Sequence, residues 1–174
     1  MGILQKKICM LGSFAVGKTS LVRRYVDSIF SENYTTTIGV KIDKKVISVL
    51  EQELSLVLWD VYGEDNHQSV VPAYLRGLAG YILVVDLTRP ATLQSAVELH
   101  KLVENNMGTK PFVLALNKSD LKDEWEQGAT DLLSLQSLAV ACIETSAKTD
   151  TGVDEMFENL ATALLPTGTG TGSG

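Results

Sequence analysis

Five uninterrupted apolar residues, Tyr81 to Val85, stand between two mostly polar stretches. A strand of that kind is buried on both faces, which requires helices on both sides of its sheet. The same pattern recurs. Ile8–Leu11 and Phe112–Leu116 are apolar runs of strand length, and Val140–Ile143 is a further short one. Between them lie longer stretches with helical spacing: 18–28 (Leu21, Val22, Tyr25 and Val26), 92–106, 129–138 and 153–165 (Val153, Met156, Phe157, Leu160 and Leu164). Residues 40–50 and 53–59, parted by Glu51-Gln52, read as an antiparallel hairpin. Strands alternating with helices predict a three-layer α/β domain with a six-stranded, mostly parallel sheet, one antiparallel strand and about five helices. Ligands bind such sheets beyond the C-terminal ends of the strands.

With 174 residues the chain is long enough for one self-sufficient core. We expect the domain to span 1–165, with 166–174, rich in Thr, Gly and Ser, as a flexible tail. The net charge of −6 without a basic cluster argues against nucleic acid as a partner, because a phosphate backbone demands clustered Lys and Arg. No apolar run is long enough to span a bilayer, and Met1–Lys7 resembles neither a secretory signal nor a myristoylation site. A cytoplasmic monomer without a direct membrane anchor is the expectation. Cys9 and Cys142 each sit in an apolar run and read as core residues; His67 and His100 read as solvent-facing.

The chemistry-bearing residues fall where the sheet pattern puts ligands. Gly12-Ser13-Phe14-Ala15-Val16-Gly17-Lys18-Thr19 matches G-x-x-x-x-G-K-[ST] between the first strand and the first helix. Gly12 and Gly17 let the backbone come close to a ligand, the loop aims N–H groups at phosphate oxygens, Lys18 supplies a point charge, and the Thr19 hydroxyl suits Mg²⁺. Asn117-Lys118-Ser119-Asp120 closes the Phe112–Leu116 strand. The Asp120 carboxylate can accept the adjacent N1–H and 2-amino donors of guanine, a pair that adenine lacks. By itself such a stretch reads equally well as a polar turn. An ATP-using kinase with the same phosphate loop would need another reason for these residues. Thr145-Ser146-Ala147-Lys148 follows the last strand, where small residues let N–H groups reach guanine O6; alone it is also a capped helix start. Asp60 closes the third strand as a second Mg²⁺ candidate, and Thr35-Thr36-Thr37-Ile38-Gly39 offers a hydroxyl for the same ion.

This ordered set resembles the Ras superfamily of small GTPases, most closely its Rab branch, over about Lys6 to Leu165. Phe30–Val40 is similar to a Rab first switch, and Pro72-Ala73-Tyr74-Leu75-Arg76-Gly77 to the end of a second. The resemblance implies the sandwich fold of P-loop NTPases and a switch between GTP and GDP with Mg²⁺ as cofactor. It implies nucleotide contacts from Ala15, Val16, Gly17, Lys18, Thr19, Ser20, Phe30, Thr37, Gly63, Asn117, Lys118, Asp120, Ser146, Ala147 and Lys148. Mg²⁺ ligation would fall to Thr19, Thr37 and Asp60, and catalytic roles to Lys18, Thr37 and Glu64. Effector proteins would engage switch loops 30–40 and 61–76 and an apolar surface of Ile42, Trp59 and Tyr74. An exchange factor and an activating protein would complete the partners. Core packing is the competing reading of Trp59.

The departures concern hydrolysis. Where the family carries Asp-Thr-Ala-Gly-Gln, this chain has Asp60-Val61-Tyr62-Gly63-Glu64, so a carboxylate stands where an amide orients water. Phe14 fills a phosphate-loop position usually held by a small residue. Two expectations follow: a switch that hydrolyses GTP slowly, or a GTP-holding scaffold that barely hydrolyses at all.

Overall fold

The computed structural model describes residues 2–33, 39–61, 71–126 and 130–167. The expectations on Thr37, Tyr62, Gly63, Glu64, His67 and the end of the tail fall outside these residues.

The chain runs β1 (Leu4–Leu11), α1 (Lys18–Asp27), β2 (Val40–Val49), β3 (Gln52–Val61), α2 (Val71–Tyr74), β4 (Leu78–Asp86), α3 (Ala91–Met107), β5 (Phe112–Asn117), a 3₁₀ segment (Ser119–Glu124), α4 (Thr130–Leu138), β6 (Ala141–Glu144) and α5 (Val153–Leu164). The six strands form one sheet in the order β2-β3-β1-β4-β5-β6. All neighbours are parallel except β2 and β3, which pair antiparallel from Val40↔Val61 to Val49↔Gln52. The expected strands, helices and single antiparallel strand are therefore all present.

The sheet has a core on each face, as the unbroken apolar strands demand. On one side, Leu21, Val22 and Tyr25 of α1 and Met156, Phe157 and Leu160 of α5 pack on Ile8, Met10, Leu56, Ile82 and Val113. The Tyr25 and Phe157 rings stack with centroids 4.0 Å apart. On the other, Leu93, Ala96, Leu99 and Val103 of α3 and Leu135 of α4 cover Cys9, Tyr81, Leu83, Val85 and Leu114. The hydrophobic period of each helix thus matches the strand face it covers.

Two expectations change. Cys142 lies on the short edge strand β6 and is only half-buried, its thiol facing the Gln136 amide at 3.4 Å. His100 is half-buried: its Nδ1 lies 2.7 Å from the Tyr81 hydroxyl, and its ring packs against Phe112. The helical position of His100 carried no sign of this partner, because the contact joins α3 to β4. Burial pushes its pKa below the usual histidine value, with the nearby Glu104 opposing.

Phe157 is fully buried under the sheet, whereas Leu133 on α4 is 68% exposed. Phe157→Ala should cost about 3–5 kcal/mol of unfolding free energy in urea denaturation. Leu133→Ala should stay within about 0.5 kcal/mol in the same assay.

Candidate functional site

Parallel pairing brings the C-terminal ends of β1, β3, β4, β5 and β6 to one edge of the sheet, and the loops there meet. β1 ends in buried Leu11, and the chain turns at Gly12 so tightly that a Cβ there would lie 2.6 Å from the Val84 carbonyl oxygen. Gly17 is the N-cap of α1 at φ +104°, and its Cβ would sit 2.2 Å from Nδ2 of Asn117. Glycine is required at both positions: close approach excludes a side chain at each, and Gly17 adds a left-handed backbone. The first turn of α1 carries no acidic residue, so its end is left electropositive.

Lys18 is 6% exposed, and its amine donates to the carbonyls of Gly12 and Ser13 at 2.9 and 3.0 Å. Burial lowers its pKa to about 8, with Asp60 opposing the shift and Arg89 adding to it. The Thr19 hydroxyl donates to Oδ2 of Asp60 at 2.5 Å, and Asp60 is 1% exposed at the end of β3.

The neighbouring loops are tied to this one by side chains. The Asn117 amide donates to the Val16 carbonyl at 2.8 Å and its oxygen accepts from the Thr145 hydroxyl at 3.1 Å. Lys118, itself in a left-handed conformation at φ +60°, donates to the Ala15 carbonyl at 2.9 Å. Ser146, fully buried, donates to Oδ1 of Asp120 at 2.8 Å, and the Ser119 N–H bonds the Thr145 carbonyl. Gly17, Ser20, Phe30, Asn117, Lys118 and Ala147 are among the residues lining a cleft of about 330 Å³, with Asp120, Ser146 and Lys148 also on its walls. Three motifs far apart in the sequence thus share one cavity, adjoining a buried amine and an anion-ready helix end.

A family model described as Ras family matches residues 7–166. The mouse Ras-related protein Rab-31 is 30% identical over 171 residues, covering 97% of this chain and 87% of that protein. The Ras-related protein SEC4 of Saccharomyces cerevisiae is 32% identical over 156 residues, 89% of this chain and 73% of the relative. RABF2b of Arabidopsis thaliana is 34% identical over 163 residues, 92% and 82% respectively. The chain belongs to the Ras family of small GTPases.

As a Rab-like small GTPase it is a guanine-nucleotide switch. The donor set near the phosphate loop suits the ion that such proteins use. Thr19 and Asp60 bring a hydroxyl and a buried carboxylate together, hard oxygen donors of the kind Mg²⁺ takes. Among the described residues no three His, Cys, Asp or Glu side chains cluster as an all-protein metal cage. Mg²⁺ needs no such cage, since it draws most of its ligands from phosphate and water.

On a different face, Ile42 pairs across strands with Trp59, whose ring lies 6.4 Å from that of Tyr74. Ile42 is 50% exposed, Trp59 and Tyr74 are half-buried, and the Lys7 amine sits 3.6 Å over the Trp59 ring. The three residues form one partly exposed apolar surface, so Trp59 belongs both to the core margin and to this face.

Sequence reasoning passed over Asp86. Its carboxylate, 1% exposed at the end of β4, lies 3.0 Å from the Lys118 amine and 3.2 Å from Nε of Arg89, and accepts from Thr88 N–H and hydroxyl. Arg89 in turn donates to the Phe14 carbonyl at 2.9 Å. Burial alone would raise the Asp86 pKa, but the Thr88 hydroxyl and Lys118 more than offset it and leave it below the usual value. A single Asp at a strand end has no motif of its own, so the signal was absent.

Asp86→Asn should lower stability by about 1.5–3 kcal/mol at neutral pH, measured in urea. A depressed carboxyl pKa adds stability that is present above the unfolded value of about 4 and lost as pH falls through the folded one. The variant should therefore lose less stability than the parent between neutral and acid pH.

Proposed function

We propose that the chain binds GTP and GDP with Mg²⁺ and works as a slowly hydrolysing switch at the cytoplasmic side of the cell. The observation that carries this reading is the shared cleft, where Asp120, Lys118, Ala147 and Phe30 line one cavity beside the phosphate loop. Guanine would be recognised by the Asp120 carboxylate through its N1–H and 2-amino donors, with the Ala147 N–H directed at O6. Phe30 and the Lys118 stem would flank the ring, and Ser146 would hold Asp120 in place by the hydroxyl it already donates. An adenine base would leave that carboxylate unmatched, which costs more than the lost hydrogen bonds.

Phosphates would lie along the N–H groups of Ala15, Val16, Gly17, Lys18, Thr19 and Ser20. Lys18 would exchange its two carbonyl acceptors for phosphate oxygens, regaining an anionic partner for a buried cation. Thr19, Asp60 and Thr37 would hold Mg²⁺, which when bound offsets phosphate charge. Thr37 and Gly63 would contact the γ-phosphate, so its loss on hydrolysis would release both switch loops. Loops 30–40 and 61–76 and the Ile42–Trp59–Tyr74 face would then lose their shape for effector proteins. An exchange factor and an activating protein are the corresponding regulators.

Glu64 would orient the attacking water in place of glutamine. A carboxylate there adds negative charge beside the triphosphate, and Tyr62 adds bulk, so turnover should be slow. Phe14 is 48% exposed on the phosphate loop, where an incoming arginine from an activating protein would need room. These three residues also support the second reading, a GTP-holding scaffold.

Chromatography of nucleotide extracted from the purified protein tests the binding claim. Reloading with GTP and Mg²⁺ and following the conversion for hours separates the two readings. Slow passage to GDP supports the switch, retained GTP the scaffold, and an absence of guanine nucleotide rejects both. Restoring Tyr62→Ala with Glu64→Gln should raise single-turnover hydrolysis at least about tenfold, in the range of one positioned proton-transfer or orienting group. Asp120→Asn should weaken GTP and favour xanthosine triphosphate in competition binding; an unchanged preference for guanine would remove Asp120 from base recognition.

A further inference from the structure

The base cleft has two walls that come from opposite ends of the chain. One is the segment after α1, which carries Phe30 and Glu32; the other is the β6–α5 loop, which carries Ala147 and Lys148. Two polar links join them. Arg24, on the last turn of α1, donates from Nε to the Ala147 carbonyl at 2.8 Å and from Nη2 to the Lys148 carbonyl at 3.2 Å. Its guanidinium carbon also lies 6.0 Å from the Phe30 ring centroid. Farther out, the Lys148 amine pairs with Oε1 of Glu32 at 3.2 Å, both side chains lining the cleft.

We propose that Arg24 and the Glu32–Lys148 ion pair form a clasp across the mouth of the base cleft that sets how long guanine nucleotide stays bound. The proposal rests on reading this cleft as the guanine pocket. Arg24 is a positioning residue: it grips carbonyls, not side chains, and the planar fork of guanidinium reaches two successive ones at once. Holding those peptide units fixes the direction of the Ala147 N–H, the donor assigned to the base. The same guanidinium lies at the edge of cation–π range from Phe30, the opposite wall. For the base to leave, the β6–α5 loop and the Phe30 segment must part, and both links lie across that opening. Lys148 and Glu32 are 56% and 75% exposed, so their pairing is the weaker, salt-screened element. Arg24 is partly buried at Nε and contributes the larger share.

Dissociation of a fluorescent GDP analogue from the full chain, chased with unlabelled GDP, tests the clasp at low and high salt. Arg24→Ala should release the analogue about tenfold faster, and Arg24→Lys, which keeps the charge but loses the fork, should fall between it and the parent. Glu32→Gln and Lys148→Gln should each accelerate release about two- to fivefold at low salt, with little effect at high salt. The charge-reversed pair, Glu32→Lys with Lys148→Glu, should release more slowly than either single reversal. Neither Glu32→Gln nor Lys148→Gln disturbs a buried group, so they remain informative if Arg24→Ala folds poorly. Thermal denaturation separates positioning from general loosening. A fall in melting temperature without a change in release rate would overturn the clasp, as would single and double reversals with equal rates. If the unmodified protein releases the analogue slowly while all variants match it, the clasp alone is wrong. If the unmodified protein does not bind the analogue, the guanine reading of the cleft fails and the clasp with it.

Discussion

A carboxylate buried at the end of the β4 strand is what the nucleotide side of this molecule is built around. Asp86 holds Lys118 and Arg89, and each of those cations reaches on to a carbonyl of the phosphate loop, Lys118 to Ala15 and Arg89 to Phe14. Charged hydrogen bonds of this kind are directional and strong where water is scarce. They pin a glycine-flanked loop that would otherwise be free to sample many backbone states. The Asn117 amide does the same on the next residue, Val16. Three consecutive carbonyls, Phe14 to Val16, are therefore held from outside by side chains of other loops.

The energetics of the site run against stability in one place. Lys18 is a buried cation whose amine donates to the backbone carbonyls of Gly12 and Ser13, and burial lowers its pKa to about 8. A phosphate group beside it would convert that cost into binding. Sites that wait for a charged ligand commonly carry such a penalty, and the surrounding core compensates for it. Here that core is the two apolar layers, in which Tyr25, on the same helix as Lys18, stacks on Phe157 of α5.

Departures from the family pattern gather at the hydrolytic end of the site, while the base end keeps its usual residue types. Asn117 and Lys118 bond carbonyls of the phosphate loop, Thr145 bonds Asn117, and Ser146 bonds Asp120. Phe14, Tyr62 and Glu64 are the unusual residues of the sequence, and Phe14 is 48% exposed on the phosphate loop. On the proposed reading affinity and turnover can diverge in this chain, because the groups that would hold the base and phosphates are not the groups that would guide water.

Short-range information determined much of this protein. Apolar runs of strand length, helical spacing of Leu21, Val22 and Tyr25, and the glycine-bounded phosphate loop are properties of neighbouring residues, and they were enough to place the sheet, its antiparallel strand and the loops at its edge. Tertiary structure alone decided which side chains lock those motifs together. Arg24 meets Ala147 across 123 positions, Lys118 meets Ala15 across 103, and His100 finds Tyr81 from another layer. A lone Arg, Asp or His on an ordinary helix or strand end has no local pattern that names its partner. Its role appears only when parallel strands bring loops from opposite ends of the chain to one edge.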